Sequence, residues 1–183
     1  TRTDPVLEAW TTLAAVGGAT TRLGLMTFVA NVMNRHPAVL ARMAATLQEA
    51  TGGRLTLGIG IGGHPAEHEA YGIQFPDAPE RVARLEDAVA VLRALFTGGP
   101  VTRPGPFHPL HGAHACPVPV PPPPIVVGAE SRRGAELAAR VGDGWTTPAP
   151  ALAQLLPAYL DALAAAHILE GALARLARIG TGP

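Results

Sequence analysis

The sequence predicts an α/β fold built on a parallel sheet, and three observations carry that reading. Helical and strand patterns alternate along the chain with short links. Leu23 to Ala30, LGLMTFVA, is a nearly continuous apolar strand, the pattern of a strand covered on both faces. In Arg54 to Gly63, RLTLGIGIGG, Leu55, Leu57, Ile59 and Ile61 alternate with Thr56, Gly58, Gly60 and Gly62. A two-residue period is that of a strand. The glycines strip its upper half of side chains, so a ligand or another strand can approach the backbone closely. A bare C-terminal strand end is where open and closed α/β folds build their sites.

Taken in order, Asp4-Pro5 supplies an N-cap and a first-turn proline for a helix that Gly17-Gly18 should end. Leu7, Trp10, Leu13 and Ala14 form its apolar face. The Leu23–Ala30 strand follows. His36-Pro37 opens a second helix with Val39, Met43 and Leu47 on one stripe, and Gly52-Gly53 closes it before the glycine strand. HPAEHEAYGIQFPDAP reads as a loop with one helical turn. A long helix follows from about Pro79 to Thr97, its stripe Val82, Leu85, Val89, Leu92 and Phe96 spaced 3-4-3-4. A segment at about 98–124 is dense in Pro, Gly and His, and reads as an excursion with a short hairpin. Ile125 to Gly128 is a third strand, Ser131 caps a helix to about Val141, and Gly144-Trp145 enters a fourth strand. Helices at about 151–166, kinked or broken at Pro157, and 168–179 complete the pattern. The whole chain, 1–183, reads as one domain.

Composition narrows the function. The formal net charge is zero, which gives no basic field for nucleic acid or an anionic membrane. No lysine occurs, so neither a Walker-type phosphate lysine nor Schiff-base chemistry is available from these residues. The lone Cys116 has no intramolecular disulfide partner and fits a reducing cytoplasm. No apolar run approaches the ~20 residues of a membrane span.

Among motifs, Gly58, Gly60 and Gly63 match GxGxxG after a strand. Pro65 and a loop stand where the phosphate-binding helix of a dinucleotide fold should begin, which argues against that fold. The loop Gly128-Ala129-Glu130-Ser131-Arg132-Arg133-Gly134 suits an anion better, with a Ser cap, helix-start amides and two arginines. An ordinary connection with solvated arginines explains it equally well. His64 and His68, with Glu67 and Glu69, lack an HExxH pattern and read as a polar loop. His108, His111, His114 and Cys116 lack paired CxxC spacing, so no metal site is expected. Arg81, Arg84, Glu86 and Asp87 read as a solvated helix face.

The runs HPAVLARMAATLQEATGGRLTLGIGIGGHPAEHEAYGIQFPDAPERVARLEDAVAVLRALFTGGPVT and PPPIVVGAESRRGAELAARVGDGW resemble the bacterial luciferase-like family of flavin- and deazaflavin (F420)-dependent oxidoreductases. The resemblance covers most of the chain from Asp4 to Trp145. It implies a (β/α)8 TIM-type barrel with the cofactor, F420 or FMN, across the C-terminal strand ends. Thr27, Phe28, Val29 and Ala30 would then back the ring, with a non-prolyl cis peptide near Thr27–Phe28. Ile61 and Gly62 would touch the cofactor through backbone. Gly128, Ala129, Glu130, Ser131, Arg133 and Gly134 would form the phosphate-side loop.

His64, just past the bare strand, would reach a small organic substrate. F420-dependent sugar-phosphate dehydrogenases of this family have a catalytic glutamate where this chain has Gly63, so that base is absent here. Four strands stand where eight are needed, so the first and last strands of the barrel are expected to be missing from this stretch, which opens on Thr1. The resemblance implies an oxidoreductase of the monooxygenase class, working as a homodimer. The alternative is an inactive or partner-completed portion of such a barrel.

Overall fold

The computed structural model describes residues 6–166. Its first helix, α1 (Ala9–Ala19), starts at Glu8, whose carboxylate accepts from the backbone N–H groups of Trp10 at 3.1 Å and Thr11 at 2.7 Å. The cap expected at Asp4 lies outside the described residues. Gly17 and Gly18 sit inside α1 rather than ending it. Packing explains Gly17, where an added Cβ would stand 2.8 Å from Thr51 Cγ2 and 3.0 Å from Leu25 Cδ1. The helix end is secured from a distance: the Arg54 guanidinium donates to the carbonyls of Gly17 (2.9 Å), Thr20 (2.7 Å) and Leu23 (2.7 Å). The first two satisfy carbonyls that a helix terminus leaves unpaired, and the third ties down the segment that leads to the first strand.

The expected continuous strand is two short ones, β1 (Leu25–Met26) and β2 (Ala30–Asn31), both parallel to β3 (Leu55–Gly60). Between them the Thr27 hydroxyl donates to the Gly58 carbonyl at 2.6 Å in place of a ladder bond. The non-prolyl cis peptide is Phe28–Val29, one bond beyond the expected position. A 3₁₀ turn, Val32–Asn34, leads to α2 (Pro37–Ala50), which His36 caps. The left-handed pair Gly52 (φ 63°) and Gly53 (φ 87°) follows its end. The loop after β3 contains a two-turn helix, α3 (Pro65–Tyr71), longer than the single turn expected. Then come α4 (Ala78–Leu95) and the antiparallel hairpin β4 (Val101–Arg103) and β5 (Leu110–Ala113), so the excursion does contain a hairpin. The described chain closes with β6 (Ile125–Gly128), α5 (Arg132–Val141), β7 (Gly144–Thr146) and α6 (Ala149–Ala165). α6 runs on through Pro157. The helix expected at 168–179 lies outside the described residues.

The strands lie side by side in chain order, β1/β2, β3, β6, β7, all parallel. The helices touch in the same sequence: α1 on α2, α2 on α4, α4 on α5, α5 on α6. The strand order never reverses, so the sheet winds in one direction, as in a barrel, and has no dinucleotide-type switch point. Four strand positions are present among the described residues, half of the eight in a closed (β/α)8 barrel. Leu55, Leu57, Ile59, Ile125 and Val127 pack into the helix layer, where Ala41, Ala44 and Ala45 of α2 are fully buried. No helix among the described residues is long and apolar enough to cross a membrane.

Asp87 on α4 corrects the reading of a solvated charged face. It is 4% exposed and pins the hairpin through three contacts. Arg103 Nη1 lies 2.7 Å away, His108 Nδ1 2.8 Å, and the His108 backbone N–H donates at 2.9 Å. Burial alone would raise the Asp87 carboxyl, but Arg103 and His108 overcome it and hold it below the usual carboxylate range. Burial pushes the His108 imidazole down, with Asp87 opposing. Both groups have depressed folded values, so their stabilisation is complete above pH 6.5. It declines as His108 is driven to protonate below that pH, and again as Asp87 protonates below 3.8. Asp87→Ala is expected to destabilise the fold by about 3 kcal/mol, because Arg103 loses its counter-ion. Urea unfolding at pH 7 measures this, and the gap from the parent should narrow at pH 3.

Candidate active site at the strand ends

The loops that follow the parallel strands enclose a cavity of about 1290 Å³. Phe28, Val29, Ala30 and Asn31 enter it from the first strand position, Gly60 to His64 from β3, and Gly128 to Ser131 with Gly134 from β6. α3 contributes Glu67, His68 and Tyr71, and the start of α1 contributes Glu8 and Trp10. The cavity therefore occupies the C-terminal edge of the sheet, where parallel α/β folds place ligands.

Its floor is set by strand proximity. At Gly58 an added Cβ would collide with the Thr27 carbonyl oxygen. At Gly60 it would lie 2.9 Å from Val29 Cγ2, and at Gly128 2.8 Å from the same atom. The space left by these three glycines is thus filled by the neighbouring strand, and the isopropyl group of Val29 covers two of them. At these three glycines the close approach that a bare backbone allows is that of a neighbouring strand. Gly62 (φ 74°) adopts a backbone that favours glycine, and its missing Cβ makes room for the Asn31 amide. Gly63 differs: nothing lies within 4 Å of its would-be Cβ.

The rim is charged. Glu8 pairs with Arg35 at 2.8 Å, joining the start of α1 to the loop after β2. The Thr11 N–H, with help from Trp10 and Arg35, lowers the Glu8 carboxyl to about 2 against the opposing effect of desolvation. On the far side Ser131 Oγ accepts from the Gly134 N–H at 3.2 Å and caps α5. The N–H groups of Arg132 and Arg133 open this ten-residue helix and have no acceptor within it.

Of the residues expected at the site, Phe28, Ala30, Ile61, Gly62, His64, Gly128, Ala129, Glu130, Ser131 and Gly134 all line the cavity. Thr27 and Arg133 do not; Thr27 is buried with its hydroxyl on Gly58, behind the wall. The sequence reading missed Trp10, Asn31 and His68. Asn31 had one signal, a polar residue closing an apolar strand. His68 was read as loop, yet it is buried in α3 with its ring 4.6 Å from that of Phe75. Among the described residues no group of three or more His, Cys, Asp or Glu is placed to hold a metal ion.

The family model for luciferase-like monooxygenases matches residues 2–179. The chain belongs to the luciferase-like monooxygenase family. It is 37% identical over 155 residues to an F420-dependent glucose-6-phosphate dehydrogenase of Nakamurella multipartita, covering 81% of this chain and 45% of that protein. A dehydrogenase of the same name from Microbacterium testaceum is 34% identical over 160 residues, with 84% and 47% covered. Among solved structures, an F420-dependent secondary alcohol dehydrogenase superposes with a TM-score of 0.81 at 28% identity, over 88% of this chain and 50% of that one. A monooxygenase from Streptomyces bottropensis gives 0.75 at 32% identity, over 87% and 50%. The luciferase-like chain thus spans about half the length of the relatives it matches.

The glycine geometry predicts a graded series in urea unfolding. Gly58→Ala should destabilise by about 3 kcal/mol through backbone overpacking. Gly62→Ala should cost about 2–3 kcal/mol, from a left-handed alanine whose Cβ also displaces the hydrogen-bonded Asn31 amide, and Gly63→Ala should stay within about 0.5 kcal/mol of the parent.

Proposed function

We propose that this luciferase-like chain supplies a large part of the cofactor site of an F420- or FMN-dependent oxidoreductase acting on a small organic substrate. One observation carries the reading: an apolar wall and a helix N-terminus suited to an anion open onto the same cavity. Phe28 is 78% exposed and stands with Val29, Ala30 and Ile61 on one side, the kind of surface a flat ring covers. Next to this wall, where Val29 meets Gly128, the lining continues through Ala129, Glu130, Ser131 and Gly134 to the start of α5, where backbone N–H groups favour phosphate. Arg133 adds positive charge from outside the lining, and Thr27 supports the wall from behind. The residues present therefore fit a tricyclic ring with a phosphate-bearing tail. F420 is favoured because the curated relatives above carry that cofactor in their names.

Such a cofactor supplies hydride transfer, or oxygen activation in the flavin case. The part of this chain is to bind, orient and shield it. His64 is exposed at the start of α3 and its side chain caps nothing, so its imidazole is available to a substrate as hydrogen-bond donor or acid. No carboxylate occupies Gly63, so a glutamate base at that place forms no part of the reaction. We place the protein in a reducing cytoplasm, in keeping with a single free and exposed Cys116.

A second reading, a partner-completed barrel portion working as a dimer, is favoured by α6. Leu152, Leu156 and Leu160 follow one another at helical spacing and are 43%, 38% and 44% exposed, while Leu155, Tyr159 and Leu163 are buried. Light scattering with and without cofactor separates the two: a dimer that binds neither cofactor supports the second.

Fluorescence titration of the chain with F420 and with FMN tests the first. Saturable binding of one of them is expected, weakened about threefold by Arg133→Ala through loss of a nearby positive charge that acts at a distance on the phosphate. Binding of neither overturns it.

A further inference from the structure

We infer that His68 is a positioning residue: acting through the amide of Asn31, it pegs α3 and the Ile61–Gly62 strand end to the strand end at Asn31. The contacts determine which atom does what. The Met33 backbone N–H can only donate, and it meets Asn31 Oδ1 at 2.9 Å. The Asn31 NH₂ group therefore points away from it, with Asn34 Oδ1 at 3.2 Å and His68 Nε2 at 2.6 Å. An amide nitrogen cannot accept, so His68 Nε2 must present its lone pair. The ring is then the neutral tautomer with its proton on Nδ1, a buried atom that has no hydrogen-bond partner among the described residues.

Two facts make this bond more than a surface contact. His68 is the only buried residue of the seven-residue α3, so the helix is held to the body of the protein chiefly by this side chain. A seven-residue helix has little stability of its own. The Asn31 amide also fills the space beside Gly62 that a Cβ would occupy, which places the same amide against the β3 strand end. All three residues line the cavity. Asn31, Gly62 and His68 thus form one unit that fixes the height of the Ile61–Gly62 wall and the start of α3, where His64 projects. A leucine at 68 would keep the bulk and lose the acceptor. A glutamine would place a carbonyl oxygen where Nε2 stands and keep it.

The inference rests on the cofactor reading only for its consequence, ring affinity; the peg itself is tested without ligand. Amide hydrogen exchange is compared in the parent, His68→Leu and His68→Gln. Exchange across residues 67–73 should quicken about tenfold in the Leu variant, return to within about threefold of the parent in the Gln variant, and stay unchanged in β6 in both. F420 affinity should follow the same order. No change in the Leu variant, a Gln variant no better than Leu, or equal acceleration in β6 overturns the inference. Should neither variant fold, imidazole nitrogen NMR of the parent decides: a neutral ring protonated at Nδ1 is expected, and a proton on Nε2 contradicts it. If the parent binds neither F420 nor FMN, the cofactor reading fails while exchange and tautomer still decide the peg.

Discussion

The cavity depends on how closely the first strand position can lie against β3. An ordinary residue at 58 would drive its Cβ into the Thr27 carbonyl, and one at 60 or 128 would displace the Val29 side chain. With glycine at all three places the Thr27 hydroxyl reaches the Gly58 carbonyl, and Val29 settles over both neighbouring strands. That contact breaks the first strand into β1 and β2 and turns Phe28 outward into the cavity. The ring-facing wall proposed above is therefore a product of strand packing: Gly58 acts beneath it, while Gly60 and Gly128 seat Val29 within it.

The outer layer is held by polar groups reaching across elements. Arg54, at the foot of β3, secures the end of α1, and Gln48 of α2 joins the Leu55 N–H to the Pro121 carbonyl. Asp143 accepts from the Ile125 N–H and pairs with Arg93 of α4 at 3.2 Å. Together with Asp87 of α4, which holds the hairpin through Arg103 and His108, these groups fix the proline-rich excursion and the loops between strands where regular ladders are absent. A buried polar group that has found its partner rigidifies such joints. The cavity wall thus stands on rigid elements.

Periodicity made the helices and β3 legible, and Gly128-Ala129-Glu130-Ser131 announced the α5 cap. What stayed hidden was set by contacts between distant residues. A run of apolar letters cannot show that Thr27 will bond Gly58 and interrupt its own strand. Asp87 looked solvated because its partners, Arg103 and His108, lie on a hairpin that no local pattern could fold back onto α4. His68 looked like loop because its partner Asn31 is remote in sequence. At the site the sequence located the strand ends, but whether a given residue lines the cavity or stands behind it, as Thr27 does with its hydroxyl on Gly58, depends on contacts that no local pattern shows.

The central claim is that the cavity takes a flavin-type ring against Phe28–Ala30 and Ile61–Gly62, with its phosphate at the start of α5. A crystal structure of the chain grown with F420, or with FMN, tests it most directly. The account predicts the ring stacked beside Phe28 and Val29 and the phosphate within hydrogen-bond reach of the Ser131–Arg133 backbone. A ring bound elsewhere on the chain, or a phosphate held away from α5, would contradict it.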